Sequence, residues 1–91
     1  MRIQKGLSQV RERLAKARDE LRIAEEQLLY VADTLDEAKT RSLVAETPLA
    51  DREHQDARGD YERALKARDL VLREIEELQA EQDRLLDKML G

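Results

Sequence analysis

The chain has 91 residues, of which 42% are charged and only 2% are aromatic, and its net charge is −4 at pH 7. It contains no cysteine, tryptophan or phenylalanine, which excludes disulfide scaffolds and cysteine-ligated zinc modules. The composition is also untypical of β-sandwiches and barrels, and the acidic balance argues against general nucleic-acid binding. Long helices and coiled coils remain as the expected architecture.

A long first helix is predicted over about residues 2–46. Non-polar residues recur there at alternating intervals of four and three, which is the heptad period of a left-handed coiled-coil seam. Leu7 is taken as heptad position a, which places Val10 at position d. The seam consists of Ile3, Leu7, Val10, Leu14, Ala17, Leu21, Ala24, Leu28, Val31, Leu35 and Ala38, and it is extended by Ser42 and Ala45.

A turn is predicted over about residues 46–48. The residue before a proline is pushed out of the helical region, so the first helix must end by about Glu46. Thr47 suits the N-cap of a second helix, and Pro48 suits its first position. Asp51 would then lie near the positive end of the helix dipole.

A second helix is predicted over about residues 48–90, with the same alternation of four and three. Its seam is weaker because heptad position a is occupied by His54, Arg68 and Gln82. A polar residue at this position lowers stability but fixes the register of the two helices. The seam residues are Ala50, His54, Ala57, Tyr61, Ala64, Arg68, Val71, Ile75, Leu78, Gln82, Leu85 and Met89.

Two long helices joined by so short a turn must be antiparallel neighbours. The predicted fold is therefore all-α, a single coiled-coil hairpin over residues 1–91 without a second domain. The favoured register pairs Leu7 with Leu85 and Leu14 with Leu78. The residues expected to hold the hairpin together are Leu7, Leu14, Leu21, Leu28, Val71, Leu78 and Leu85.

Non-polar residues also occur away from the seam. On helix 1, Ile23, Tyr30 and Val44 share heptad position c, and Leu29 and Leu43 also lie off the seam. A second set on helix 2 comprises Leu65, Leu72 and Leu86. Such surface normally marks a contact. We predict that an outer stripe binds a partner, and this stripe consists of Ile23, Leu29, Tyr30 and Val44. A homodimer that forms a four-helix bundle is the favoured solution, and docking onto a different protein is the other.

No catalytic, cofactor-binding or metal-binding site is predicted. His54 is the only histidine, and its neighbours Glu53 and Asp56 would not face it on a helix. A group of carboxylates on helix 1 lacks the Glu-x-x-His motif of di-metal bundles and is read as a solvated face. This group comprises Glu25, Glu26, Asp33, Asp36 and Glu37. The chain has no cysteine nucleophile, Ser/His/Asp set or glycine-rich phosphate loop, so an enzyme is not expected.

Charge is distributed unevenly along the chain. Residues 1–22 hold seven bases and three acids, whereas residues 23–62 hold four bases and eleven acids. Folding would bring several of these acids to the turn, where the tip residues Glu46, Asp51 and Glu53 form a second candidate site. An acidic tip on a long hairpin resembles in outline the coiled-coil finger of Gre-type transcript-cleavage factors. The resemblance covers architecture and tip charge, and it implies a regulator that inserts its tip into RNA polymerase.

The sequence thus predicts a non-enzymatic interaction or adaptor protein that works through its outer stripe or its tip. The alternative is a regulator that inserts an acidic tip into a larger machine such as RNA polymerase. Self-association is expected, and nucleic acid is not an expected partner. Neither a signal peptide nor a membrane-length non-polar stretch is visible, so the predicted location is the cytoplasm, without a membrane partner.

Overall fold

The computed structural model describes residues 2–91 and contains two long helices. Helix α1 spans Arg2–Ala45 and helix α2 spans Pro48–Leu90, with Glu46 and Thr47 between them. The described residues contain no strand, so the predicted all-α architecture of two long helices is confirmed. Helix α1 ends one residue before the predicted boundary. Over the described residues, neither helix contains a stretch that is non-polar enough to cross a membrane.

Capping interactions at both helix ends build the turn. The amide of Ala50 donates to Thr47 Oγ1 at 3.2 Å, and the amide of Asp51 donates to the Thr47 carbonyl oxygen at 3.1 Å. Thr47 is therefore the N-cap of α2, and Pro48 is its first residue, as the sequence predicts. Glu46 has a φ of 49°, and its amide donates to the Ser42 carbonyl oxygen at 3.1 Å. It thus ends α1 in the left-handed conformation that glycine usually takes.

The described chain divides into two compact units, and both helices contribute to each. Residues 2–22 and 69–91 form what we call the terminal unit. Leu14 and Val10 are its largest fully buried side chains. Its core comprises Val10, Leu14, Ala17, Ile75 and Leu78, with Leu21, Val71 and Leu85 packed against it. Large aliphatic side chains dominate this core, and burying each one contributes about 1.5–3 kcal/mol.

Residues 23–68 form what we call the tip unit, which includes the turn. Its buried side chains are small and comprise Val31, Ala38, Ala50 and Ala57. Near the turn, the Ser42 hydroxyl donates to the carboxylate of Asp51, and Arg41 Nε lies 4.0 Å from Glu53 Oε2. Alanine contacts let two helices approach closely, but they remove little non-polar surface from water.

Burial follows the predicted seam in both helices. Every described seam residue is buried or half-buried except Ala45 and Met89. Both exceptions lie at the ends of helices, where fewer neighbouring turns cover a side chain. In the terminal unit, a Cβ added at Gly6 would lie 3.4 Å from Leu85 Cδ1. This proximity agrees with the register in which Leu7 lies opposite Leu85.

Candidate interaction surface

The outer stripe is exposed at all four of its positions. Ile23 is 57% exposed, Leu29 71%, Tyr30 68% and Val44 80%. None of these side chains belongs to the buried core of the tip unit. Their exposure makes them available for contact, and their role in binding a partner stays a prediction.

In the tip unit, the buried side chains are small and many of the exposed non-polar side chains are large. Its buried residues are three alanines and one valine, and the seam residues Leu28 and Leu35 are only half-buried. Its exposed large non-polar residues are Ile23, Leu29, Tyr30, Leu43, Val44 and Leu49. The terminal unit exposes no large non-polar residue within 2–22, whereas its α2 part exposes Leu70, Leu86, Met89 and Leu90. The tip unit therefore presents non-polar surface that its own fold leaves uncovered, as contact sites do in other proteins.

The structure separates the outer stripe into two parts. Ile23, Leu29 and Tyr30 lie within about two helical turns of one another, and we call these three residues the outer patch. Val44 lies about four turns further along α1, roughly 20 Å away at the helical rise per residue, beside the turn. Its neighbour Leu43 is also exposed. The outer stripe is therefore not one continuous surface.

Two exposed leucines of α2, Leu49 and Leu70, were not among the predicted site residues. Both occupy heptad position c of α2, the position that Ile23 and Tyr30 occupy in α1. Selecting the non-polar residues at heptad position c in both helices would have identified these two leucines. Leu49 belongs to the tip unit and Leu70 to the terminal unit.

An open groove lies beside Tyr30 within the tip unit. Its non-polar lining includes buried Val31 and half-buried Ala64. On the α2 side, Arg63 donates a hydrogen bond to the carboxylate of Asp60, so these two charges balance each other. The complete lining is Gln27, Tyr30, Val31, Asp60, Arg63 and Ala64. The groove thus places non-polar Val31 and Ala64 beside the paired charges of Asp60 and Arg63, next to the outer patch.

The α1 segment that carries the outer patch is acidic. Residues 23–38 contain five carboxylates and no lysine or arginine. The carboxylates belong to Glu25, Glu26, Asp33, Asp36 and Glu37, all of which are exposed. Glu26 and Asp33 lie one turn before and one turn after Leu29 and Tyr30, at the spacing of neighbours on a helix surface. The outer patch is therefore a non-polar surface in a negatively charged surround.

The predicted tip residues lie at the turn, where their charges are partly engaged. Glu46 is exposed, whereas Asp51 accepts the hydrogen bond from Ser42 and Glu53 lies beside Arg41. Residues 39–56 hold four acids and three bases, so the charge around the turn is nearly balanced. The tip is therefore less negative than the segment that carries the outer patch.

Residues 2–91 contain no group of three or more histidine and carboxylate side chains placed to hold a metal ion. His54 is half-buried on the seam. No protein-family model, curated protein or solved structure matches the chain. The function is therefore inferred from the surface of the two units.

Proposed function

We infer that this protein is a non-enzymatic interaction protein, a coiled-coil hairpin that binds a protein partner through its outer stripe. The observation that carries the proposal is the exposure of Ile23, Leu29 and Tyr30 on a unit whose most deeply buried side chains are alanine and valine. Leaving non-polar surface in water forgoes about 25 cal/mol for each Å² relative to burial. A partner that covers these side chains gains that free energy.

Tyr30 is the residue expected to contribute most to binding. Tyrosine is enriched among the residues that dominate interface energies, because its ring buries a large area and its hydroxyl can still form a hydrogen bond. Tyr30 belongs to the outer patch and also lines the neighbouring groove, so one partner side chain in the groove would contact it.

Crosslinking in the native cell followed by affinity capture tests this function. The double variant Ile23→Ala, Tyr30→Ala is expected to reduce partner capture by about tenfold or more, because truncating dominant interface residues costs that much affinity. Leu70→Ala is the matched control, since Leu70 is about as exposed as Ile23 but lies in the terminal unit. Unchanged capture by the double variant, with its helical circular dichroism intact, would contradict the proposal.

The alternative function is that of a regulator whose tip enters a larger machine such as RNA polymerase. Its support comes from Glu46, which is exposed and held in the left-handed backbone region, because strained residues cluster at functional sites. The same capture experiment separates the two functions through the double variant Asp51→Lys, Glu53→Lys. Binding through the outer stripe survives this charge reversal, whereas binding through the tip is lost with no change in oligomeric state.

Self-association into a four-helix bundle is the second part of the proposal. Helix α2 carries a set of leucines one residue beyond its d positions, and this set comprises Leu65, Leu72 and Leu86. Leu65 and Leu72 are half-buried, and Leu86 is partly exposed. The seam of α2 contains polar residues at heptad position a. A second copy that packs on these leucines would add non-polar contacts beside that seam.

A further inference from the structure

We propose that the outer patch and the groove beside it bind a basic amphipathic helix of another protein. This proposal rests on the function inferred above and specifies the chemistry of the partner. The same surface combines two properties, namely non-polar side chains that are uncovered and carboxylates that surround them. An occupant has to match both.

The geometry of α1 makes the two properties inseparable. Successive residues on a helix are about 100° apart, so residues at positions b and c lie on either side of position f. Leu29 is at b, Tyr30 is at c, and the f positions one turn away hold Glu26 and Asp33. Any partner that covers Leu29 and Tyr30 together therefore also covers carboxylates.

The charges exclude a purely non-polar partner. The carboxylates of Asp33, Asp36 and Glu37 form no hydrogen bond or ion pair with any of residues 2–91. Water solvates them in the free protein, and a non-polar partner would remove that water without replacing it, which is strongly unfavourable. Lysine or arginine side chains opposite the carboxylates supply both solvation and charge complementarity.

A second copy of this chain does not fit the outer patch. A symmetric dimer would place the same face of each copy against the other, and residues 23–38 would bring carboxylates against carboxylates with no base in either segment. The basic residues 1–22 offer cations, but within 2–22 they expose no large non-polar side chain. Residues 63–91 hold six bases and seven acids, so they offer no net positive charge.

A basic amphipathic helix meets both requirements. Its non-polar residues at i, i+3, i+4 and i+7 would pack on the outer patch, and one of them would enter the groove between Tyr30 and Ala64. Lysine and arginine residues on its flanks would then lie against the carboxylates of residues 23–38. The two kinds of contact reinforce each other, because excluding water strengthens the ion pairs.

Fluorescence anisotropy with three synthetic peptides of about 18 residues, or five helical turns, tests this partner chemistry. The first peptide has leucines at helical spacing and lysines elsewhere, and the second has glutamate in place of every lysine. The third has the composition of the first in an order without a non-polar face. We expect the full chain to bind the first peptide about tenfold or more tightly than either of the others.

Matched charge reversals locate the binding surface. The double variant Asp36→Lys, Glu37→Lys is expected to lose the preference for the lysine peptide over the glutamate peptide. The control is Glu76→Lys, Glu77→Lys, which makes the same change at the same two heptad positions of α2, in the terminal unit. This control variant is expected to keep the preference, which shows that local charge rather than net charge decides it.

The outcomes separate this partner chemistry from the underlying function. Equal binding of both amphipathic peptides, weakened by Tyr30→Ala, would overturn the basic partner but keep the outer patch as a binding site. If the third peptide, which has no non-polar face, binds as tightly as the first, the proposed partner chemistry is overturned. The exposed side chains of the outer patch then no longer support the proposed function. If none of the three peptides binds, the proposal is overturned. It is also overturned if the protein is a dimer that the Tyr30→Glu variant dissociates, because a second copy would then occupy the outer patch.

Discussion

At the scale of single residues, Glu46 carries the clearest local strain. Its φ of 49° lies in the left-handed region, which costs a residue with a Cβ about 1–2 kcal/mol. Glycine adopts this region readily, although it loses more conformational entropy on folding. Glu46→Gly is therefore expected to raise the free energy of unfolding by about 1 kcal/mol relative to Glu46→Ala, which removes the same carboxylate. Urea denaturation followed by circular dichroism measures both variants, and equal stabilities would contradict the conformational reading.

At the scale of the helix, α1 contains two leucines in opposite environments. Leu14 is 2% exposed in the core of the terminal unit, whereas Leu29 is an exposed member of the outer patch. Leu14→Ala should lower the free energy of unfolding by about 2–5 kcal/mol, because it deletes buried atoms and leaves a cavity. Leu29→Ala should change it by less than about 0.5 kcal/mol, since the side chain contributes nothing to the core.

Both leucine variants can be measured by the same urea denaturation, and they share the residue type, the helix and the substitution. The difference between them therefore reports burial alone. Similar losses for both would mean that Leu29 is covered in solution, which would point to a second copy on the outer patch.

At the scale of the whole molecule, oligomeric state is the decisive property. Light scattering at micromolar concentration is expected to give twice the chain mass of 10.6 kDa. Leu86→Glu should return the mass to that of one chain, because it places a charge in the proposed second seam. Tyr30→Glu should leave the dimer intact, since the outer patch faces a different partner. A wild-type monomer would contradict self-association and leave the outer patch as the main interaction surface.

The sequence by itself determined the elements and most of the burial pattern. Heptad spacing fixes which residues of a helix can face a partner helix, so burial falls where the pattern predicts it, except at Ala45 and Met89. Thr47 and Pro48 fix the turn through local backbone chemistry, because one caps a helix and the other cannot continue the preceding one. Both signals act over a few residues, and a single sequence reveals them directly.

Only the tertiary structure decided what depends on contacts between the helices. It divides the chain into a terminal unit with an aliphatic core and a tip unit whose buried side chains are three alanines and one valine. It also engages Asp51 with Ser42 and forms the groove beside Tyr30. These features arise from how closely side chains of two distant segments approach, and periodicity along one segment carries no information about that distance. Heptad spacing already predicted the outer stripe, whereas the exposure of its side chains and the small size of the buried ones depend on how closely the two helices approach.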